Sequence, residues 1–389
     1  MLYNYFCKIY DYNYLIIIMD FTKIKIIKKL GVGMYGTVYL IEYNNKQYAM
    51  KIQKILELEK IPDYKHTIWR EIFFYKDVKK MPNESKKFFC RMYAYKILDN
   101  CKHKQVRSKD IPKNSIFVKK YHEINASNIC AIFIIDYKGN TNLYDYLQTN
   151  ISTKKIFSIL LQVCKIILLL SDIKYSHNDL NPSNIIVHPT KDKTFEIMGN
   201  LINHNGLQLV AIDYGNMTNK SYGPEYFEDQ ESFYFFELTK SLFYILQNTP
   251  KLEKNCRIQK KKYPYEIEKN YKNNVWRIIF EKYKRIVDNY AKKYLRLYPH
   301  LREFYFTLKK NIKKSSIDNI KKGLNYKNDI NVFFLKIENH FALEHPEEYM
   351  KITGWCSPPE YILPKKDVLE ILECKTRDDY FKFLKEKLK

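Results

Sequence analysis

The residues best suited to chemistry lie in His177-Asn178-Asp179-Leu180-Asn181-Pro182-Ser183-Asn184-Ile185-Ile186-Val187, a polar stretch that runs into an apolar one. Asp179 can accept the proton of an attacking hydroxyl, and Asn184 can offer an amide oxygen to a divalent cation. His177 suits packing and hydrogen-bonding support better than the role of base. A loop between helix and strand can be polar for no chemical reason, but His-x-Asp-x-x-x-x-Asn backed by an apolar strand rarely arises by chance. A second carboxylate, Asp213, closes the apolar run Leu209-Val210-Ala211-Ile212 and is followed by Tyr214-Gly215. That placement suits an aspartate holding magnesium on phosphate groups.

Nearer the start, Gly31-Val32-Gly33-Met34-Tyr35-Gly36-Thr37-Val38 gathers three glycines between two strand-like segments. Glycine lets a backbone turn tightly and approach phosphate oxygens without a Cβ in the way. Alone, Gly-x-Gly-x-x-Gly fits a hairpin turn or the opening of a dinucleotide-binding unit. The segment after it is strand-like, which argues against the second. Ala49-Met50-Lys51-Ile52 then sets a lysine in an apolar strand. Such a lysine snorkels to water at a sheet edge or meets an anion, here a carboxylate and a nucleotide's phosphates. Glu71, in Trp69-Arg70-Glu71-Ile72-Phe73-Phe74, is the favoured carboxylate; Glu57 and Glu59 sit in a less regular stretch.

The elements that must position these groups follow from pattern. Strands are expected over Lys25–Leu30, Thr37–Glu42 and Gln47–Ile52, and further ones over Phe89–Leu98 and Ala131–Tyr137. A helix is expected from Thr67 to Lys79, after the start signal of Pro62 and Asp63. Between Ser152 and Asp172 the residues Ile156, Ile159, Leu160, Val163, Ile166, Ile167 and Leu170 recur at helical spacing. The basic segment 99–130 reads as an insertion, as does 188–206, whose role the sequence does not reveal. Past 225 the chain is helical in character. Strands first and helices later make an α+β chain rather than alternating βαβ units. No internal repeat is present.

The chain has 389 residues, of which 46% are hydrophobic, which excludes wholesale disorder. Its net charge of +24 favours acidic partners, nucleic acid or anionic membranes. The plainer account is codon bias: Lys, Asn, Ile and the 35 tyrosines share AT-rich codons, as in a large DNA virus or a parasite. The eight cysteines include no Cys-x-x-Cys pair and no regular spacing, so neither a zinc site nor a disulfide framework is expected. A reducing intracellular compartment, the host cytoplasm for a viral protein, fits that usage. Leu15–Met19 is too short an apolar run to span a bilayer, and no signal peptide is read. Met19 offers an alternative start.

Taken together, residues 24 to 238 resemble the protein-kinase superfamily. The order of glycine loop, strand lysine, helix glutamate, catalytic Asp…Asn and Asp-Phe-Gly is matched here, with Val38 at the position following the loop and Tyr214 in place of Phe. The resemblance implies a bilobal fold: a small N-lobe of antiparallel strands plus one helix over 24–138, after an extension 1–23, and a larger helical C-lobe over 139–389. It implies a phosphotransferase using ATP with Mg²⁺ or Mn²⁺. Lys51 and Glu71 would pair and grip the phosphates, Asp179 would orient the acceptor hydroxyl, and Asn184 and Asp213 would hold the metal. Gly31, Val32, Gly33, Gly36, Val38, Ala49, Ile135 as gatekeeper, and backbone groups of Asp136 and Lys138 would surround the nucleotide, with Asn142 near the ribose. Asp229 would brace the catalytic loop from its helix, and His177, Tyr214 and Tyr75 would form a hydrophobic spine.

The departures are specific. Asn178 stands where the family has an arginine that reads a phosphorylated activation loop, and Asn181 where serine/threonine kinases have lysine. Seven residues separate Asp213-Tyr214-Gly215 from Gly223-Pro224-Glu225, leaving little platform for a peptide. The resemblance thus implies a divergent serine/threonine protein kinase. The alternatives are a small-molecule kinase of the choline or aminoglycoside type, which shares the catalytic loop, and a basic pseudokinase scaffold. The C-terminal segment 365–389 reads as a solvated face or a docking helix.

Overall fold

Alternating lysine and β-branched residues, broken by Asn44-Asn45, set up the first hairpins of the chain. Both asparagines take positive φ (49° and 57°), the geometry of a tight hairpin turn whose twist matches the strands. The computed structural model describes residues 19–32, 36–103, 123–124, 126–220, 230–248, 283–311, 327–353 and 360–388. Gly33, most of the expected insertion 99–130, Gly223-Pro224-Glu225 and Asp229 lie outside the described residues. The chain divides after Asn140 into two compact units. Its architecture is mixed α/β, with an antiparallel sheet and many helices.

The first unit is built on a five-stranded antiparallel sheet ordered β1-β2-β3-β5-β4: β1 Lys25–Val32, β2 Thr37–Tyr43, β3 Lys46–Ile55, β4 Met92–Leu98 and β5 Ile129–Asp136. All eight residues of β5 are buried, which explains its nearly unbroken apolar sequence. Directly paired residues project to the same face of a sheet. The pairs Gly31–Val38, Val38–Lys51, Ala49–Ile135 and Lys51–Phe133, with Ala49 and Lys51 two apart, therefore put Gly31, Val38, Ala49, Lys51 and Ile135 on one face. Helix α1, Thr67–Lys80, lies against that face through Glu71 and through Trp69, whose ring meets Tyr95 edge-on. The opposite face carries a core of Ile41, Met50, Ala94, Ile132 and Ile134. Met19 is buried in that core, with Phe21 and Ile24 packed beside it, so the expected extension 1–23 is part of the unit from Met19 onward. Phe89, read as the start of a strand, instead packs edge-on against Phe74 before β4 begins. Cys101 and Cys130 are joined in a disulfide, which the irregular cysteine spacing did not lead us to expect.

The second unit is organised around helix α3, Thr153–Asp172, preceded by the short α2, Leu143–Leu147. Buried residues surround α3 on nearly every side, as in a helix at the centre of its domain. Two short strands, β6 Ile185–Pro189 and β7 Leu207–Ala211, pair antiparallel and carry the polar loop and Asp213 at the same end. The segment between them, expected as an insertion, is itself a hairpin of Thr194–Ile197 with Asn200–Asn203, turned at Met198-Gly199 with positive φ at both. Buried polar side chains of α3 secure this region. Ser158 Oγ donates to Asn203 O (2.8 Å); Gln162 Nε2 donates to Leu207 O (2.9 Å), and Gln162 Oε1 accepts Leu209 N–H (2.8 Å).

Helix α4, Gln230–Leu246, packs on α3 and on α5, Lys327–Glu344. The C-terminal segment is neither a solvated face nor a free docking helix. It forms helices Lys365–Glu373 and Arg377–Glu386, which bury Val368, Ile371, Leu372, Tyr380, Phe381 and Leu384. Lys336, fully buried on α5, donates to the carbonyls of Leu372 and Cys374 at the end of the first of them, and burial pulls its ammonium down to about 7. No helix among the described residues is long and apolar enough to cross a membrane.

Gln162 has no access to solvent, so its loss strands a backbone N–H and a carbonyl of β7. Each unsatisfied buried group costs about 1–3 kcal/mol. Gln162→Leu, close in volume, should destabilise the second unit by about 2–5 kcal/mol in urea titrations; a midpoint within error of the parent's would remove this clamp from the account of how Asp213 is held.

Candidate active site

The first unit contributes a buried ion pair. β3 projects Lys51 and α1 projects Glu71, and their charged ends meet at 2.8 Å with side-chain exposures of 12% and 1%. Glu71 also accepts a 3.4 Å bond from Tyr75 Oη, one helical turn on, and the Lys51 ammonium lies 6.0 Å from the Phe133 ring centre. Of the carboxylates within sequence reach, Glu59 is committed elsewhere, accepting the Leu56 N–H at 2.9 Å. Removing either member of a buried pair leaves an uncompensated charge and costs about 3–5 kcal/mol.

The glycines of the loop differ in their constraints. A Cβ on Gly36 would stand 2.6 Å from the Ile52 carbonyl oxygen and 3.0 Å from Gln53 Cβ, so β3 itself forbids a side chain there. Among the described residues, a Cβ on Gly31 would meet nothing within 4 Å. Packing against the described residues therefore does not require Gly31. Further along the same unit, Ala49 and Ile135 are buried, Val38 is half-buried and Val32 is 41% exposed. The Asp136 carboxylate accepts Arg91 Nε (2.9 Å) and Tyr93 Oη (2.6 Å), with Lys138 Nζ 3.6 Å away. Burial pushes this carboxyl upward, but the bonds from Arg91 and Tyr93 outweigh it and hold it below the usual range. The Asp136 N–H is taken by Arg91 O (2.9 Å).

In the second unit the polar loop and Asp213 are brought together by the sheet they flank. Ile185 pairs with Ala211, and the next bond, Ile212 N–H to Asn184 O at 2.9 Å, extends the ladder to the residues beside Asp213. Asp179 is held by two amides: Asn181 Nδ2 donates to its Oδ1 (2.9 Å) and Asn184 Nδ2 to its Oδ2 (3.1 Å). With Nδ2 committed to Asp179, Asn184 has its Oδ1 left to ligate a cation. Asp213 takes a left-handed conformation (φ 63°, ψ 72°), uncommon outside glycine and tolerated best by Asp and Asn. His177 is fully buried; its Nε2 bonds the Ile212 carbonyl (3.0 Å) and its ring meets Tyr214 edge-on at 5.9 Å. Two of the three expected spine residues are thus in contact, while Tyr75 belongs to the first unit and bonds Glu71. Asn142 uses its Oδ1 to cap α2, accepting Asp145 N–H at 2.7 Å.

The loop has a brace on α4, and the one expected from sequence, Asp229, lies outside the described residues. Glu237, buried on α4, accepts the Ser176 hydroxyl and the Asn178 N–H, both at 2.8 Å. Lys240, one turn on, donates to the Asn178 carbonyl at 3.1 Å. The Asn178 side chain is equally engaged, accepting from Ser176 Oγ (3.0 Å) and donating to Asn216 O (2.8 Å) and Thr218 Oγ1 (3.0 Å). The sequence did carry a trace of this: Glu237 interrupts the apolar run Phe235-Phe236…Leu238, where an acid needs a reason to be.

Chemically, the second unit offers an oriented carboxylate able to accept a proton, beside two hard oxygen donors, Asn184 and Asp213. That donor set suits Mg²⁺, whose remaining positions are ordinarily filled by phosphate oxygens and water. Among the described residues no group of three or more His, Cys, Asp or Glu side chains forms a fuller metal site.

Two outcomes follow. Gly36→Ala should cost about 1–3 kcal/mol from overpacking, whereas Gly31→Ala should leave the melting temperature unchanged; equal effects would show that the β3 carbonyl is not the constraint. Burial raises the Glu237 carboxyl above its usual range, the bonds from Asn178 and Ser176 opposing this only in part. Folding then takes up a proton at this site. Its contribution to stability is greatest below the unfolded value of 4.5 and is lost as pH rises through the folded one. Glu237→Gln retains an acceptor oxygen without the ionisation, so its melting temperature should fall less than the parent's as pH rises through that window; parallel pH profiles would assign the dependence to other groups. No protein-family model matches this chain, and no curated protein matches it.

Proposed function

We propose that the protein is an ATP- and magnesium-dependent phosphotransferase of the protein-kinase type, moving the γ-phosphoryl group to serine or threonine hydroxyls of proteins. The observation that carries this reading is the convergence of Asp179, Asn184 and Asp213 at one end of the β6–β7 pair, with Asp179 fixed by two amides. Support from the first unit comes from the buried Lys51–Glu71 pair. Lys51 is already matched by a carboxylate, which fixes its ammonium in place for phosphate oxygens. Phosphoryl transfer demands little covalent chemistry of a protein; its rate comes from positioning and from stabilising charge on the transferring group.

In this reading Gly31, Val38, Ala49 and Ile135, which share one sheet face, bound the nucleotide, and Gly31 keeps that face open for phosphate. Asp136 and Lys138 supply backbone contacts to the base; the Asp136 N–H is committed to Arg91, and its carbonyl, which takes the Cys90 thiol at 4.0 Å, keeps a second lone pair for the task. Asp179 orients the acceptor hydroxyl and takes its proton as the bond to phosphorus forms. A magnesium ion held by Asn184 and Asp213 would neutralise phosphate charge. The bilobal kinase arrangement belongs to this proposal too: a nucleotide-covering first unit and a second unit carrying the catalytic loop.

The test is transfer of label from γ-labelled ATP, with magnesium, to a generic protein acceptor. Asp179→Asn should lower the rate by about 10²–10⁴-fold while leaving nucleotide binding in place. Lys51→Met and Asp213→Asn should also abolish labelling, and Gly31→Ala should raise the KM for ATP with no change in melting temperature. Labelling that persists in Asp179→Asn sinks the assignment. ATP consumption stimulated by amino-alcohols or aminoglycosides, with no label on protein, would replace the protein acceptor by a small molecule.

A further inference from the structure

One face of α4 is devoted to the loop that carries Asp179. Glu237, Lys240 and Tyr244 stand at i, i+3 and i+7, spacing that aligns them along one side of a helix. Glu237 and Lys240 grip the two ends of a single residue: the carboxylate takes the Asn178 N–H (2.8 Å) and the ammonium takes the Asn178 carbonyl (3.1 Å). Asn178 has φ 61°, left-handed backbone that asparagine tolerates better than most residues and that bonds from α4 hold here. Its carbonyl belongs to the peptide plane that leads directly into Asp179. Whatever fixes that plane fixes the direction in which the Asp179 side chain departs.

We propose that Lys240 is a positioning residue for Asp179, holding the 178–179 peptide plane through its charge-assisted bond to the Asn178 carbonyl. The inference rests on the phosphotransferase reading above and adds to it a residue outside every motif that suggested it. Three observations point the same way. Glu237 holds the 177–178 peptide by its N–H and Lys240 the 178–179 peptide by its carbonyl, so both planes flanking the Asn178 Cα are fixed from α4. The Lys240 ammonium lies 5.6 Å from the centre of the Tyr244 ring, a cation–π contact that restricts the long side chain. Tyr244 is 41% exposed, and partial burial together with the negative charges of Asp179 and Glu338 raises its hydroxyl.

Lys240 was absent from the sequence reading because the loop shows no need of it. The loop's own polar residues, Asn181 and Asn184, already bond the Asp179 carboxylate and so set its rotation. Neither bonds the Asn178 carbonyl. That atom is served from α4 alone among the bonds described.

The experiment compares wild type, Lys240→Met, Lys240→Gln and Lys240→Arg for phosphotransfer, with melting temperature and KM for ATP measured alongside. Methionine keeps the stem that packs on Tyr244 and removes only the donor. Loss of a charge-assisted bond should lower kcat by about tenfold or more in Lys240→Met. The KM for ATP should stay within about twofold, and Lys240→Arg should recover most of the rate. If Lys240→Met does not fold, Lys240→Gln carries the test, since its amide still donates but without charge, and an intermediate kcat is expected. Wild-type kcat in Lys240→Met, or a loss that arginine does not recover, overturns the inference alone. A wild-type chain that transfers phosphate to no acceptor overturns the phosphotransferase reading and this inference with it.

Discussion

A charge removed from water must find a partner, and each unit of this chain is arranged about one such requirement. In the first, β3 and α1 meet where Lys51 and Glu71 neutralise each other at 2.8 Å. In the second, Glu237 is fully enclosed and is matched by neutral donors, the Ser176 hydroxyl and the Asn178 N–H. The two solutions differ in consequence. In the pair, one contact compensates both members. A carboxylate met by neutral donors stays poorly compensated, and burial raises its proton affinity. Glu237 also accepts both bonds through one oxygen, leaving its other oxygen buried without a partner among the described residues. That arrangement spends stability to hold a loop in place.

The loop so held is not one the backbone would adopt unaided. Asn178 and Asp213 both lie at positive φ, each of them next to or among the residues proposed to act. Strain of this kind persists only where neighbouring groups over-determine the conformation. Here those groups are traceable: Glu237 and Lys240 from α4, Asn216 and Thr218 from the segment after Asp213, and Ile212 from the end of β7. β7 is in turn pinned to α3 by Gln162, and the neighbouring hairpin by Ser158. The support for the site therefore runs through polar side chains set singly in apolar helices, whose bonds have direction, whereas apolar packing alone would permit sliding.

Those same residues mark where the sequence was readable and where it was not. The strands read over Lys25–Leu30, Thr37–Glu42 and Gln47–Ile52 are present and slightly longer, and the helices over Thr67–Lys79 and Ser152–Asp172 begin and end within a residue of expectation. Their periodicity comes from one-sided burial, which local sequence records directly. The Lys51–Glu71 pair was legible as one of two outcomes for a lysine in an apolar strand, a carboxylate on the regular helix that follows being the alternative to snorkelling into water. Glu237, Lys240, Gln162 and Ser158 were not, because a helical period treats a lone polar residue as noise, and its partner lies 45 to 62 residues away. The hairpin within 188–206 should have been easier. Asn205-Gly206, both at positive φ, is among the strongest turn dipeptides and separates it from β7.

The departures from the kinase pattern acquire a physical account on the proposed reading. Where an arginine would read a phosphate on an activation loop, Asn178 bonds Asn216 and Thr218 directly, and the backbones of Ser176 and Thr218 pair in a short ladder beside it. An amide of fixed reach replaces a charge waiting for a partner. Where a lysine would project from the loop, Asn181 turns back on Asp179. Both substitutions exchange an outward-facing cation for an internal bond, so the loop is held together by its own side chains and by α4, with no added phosphate required. On that reading, the described residues of the loop hold their arrangement without a phosphate. Control over the site would have to act on what the loop cannot supply for itself, the ordering of the acceptor and the nucleotide.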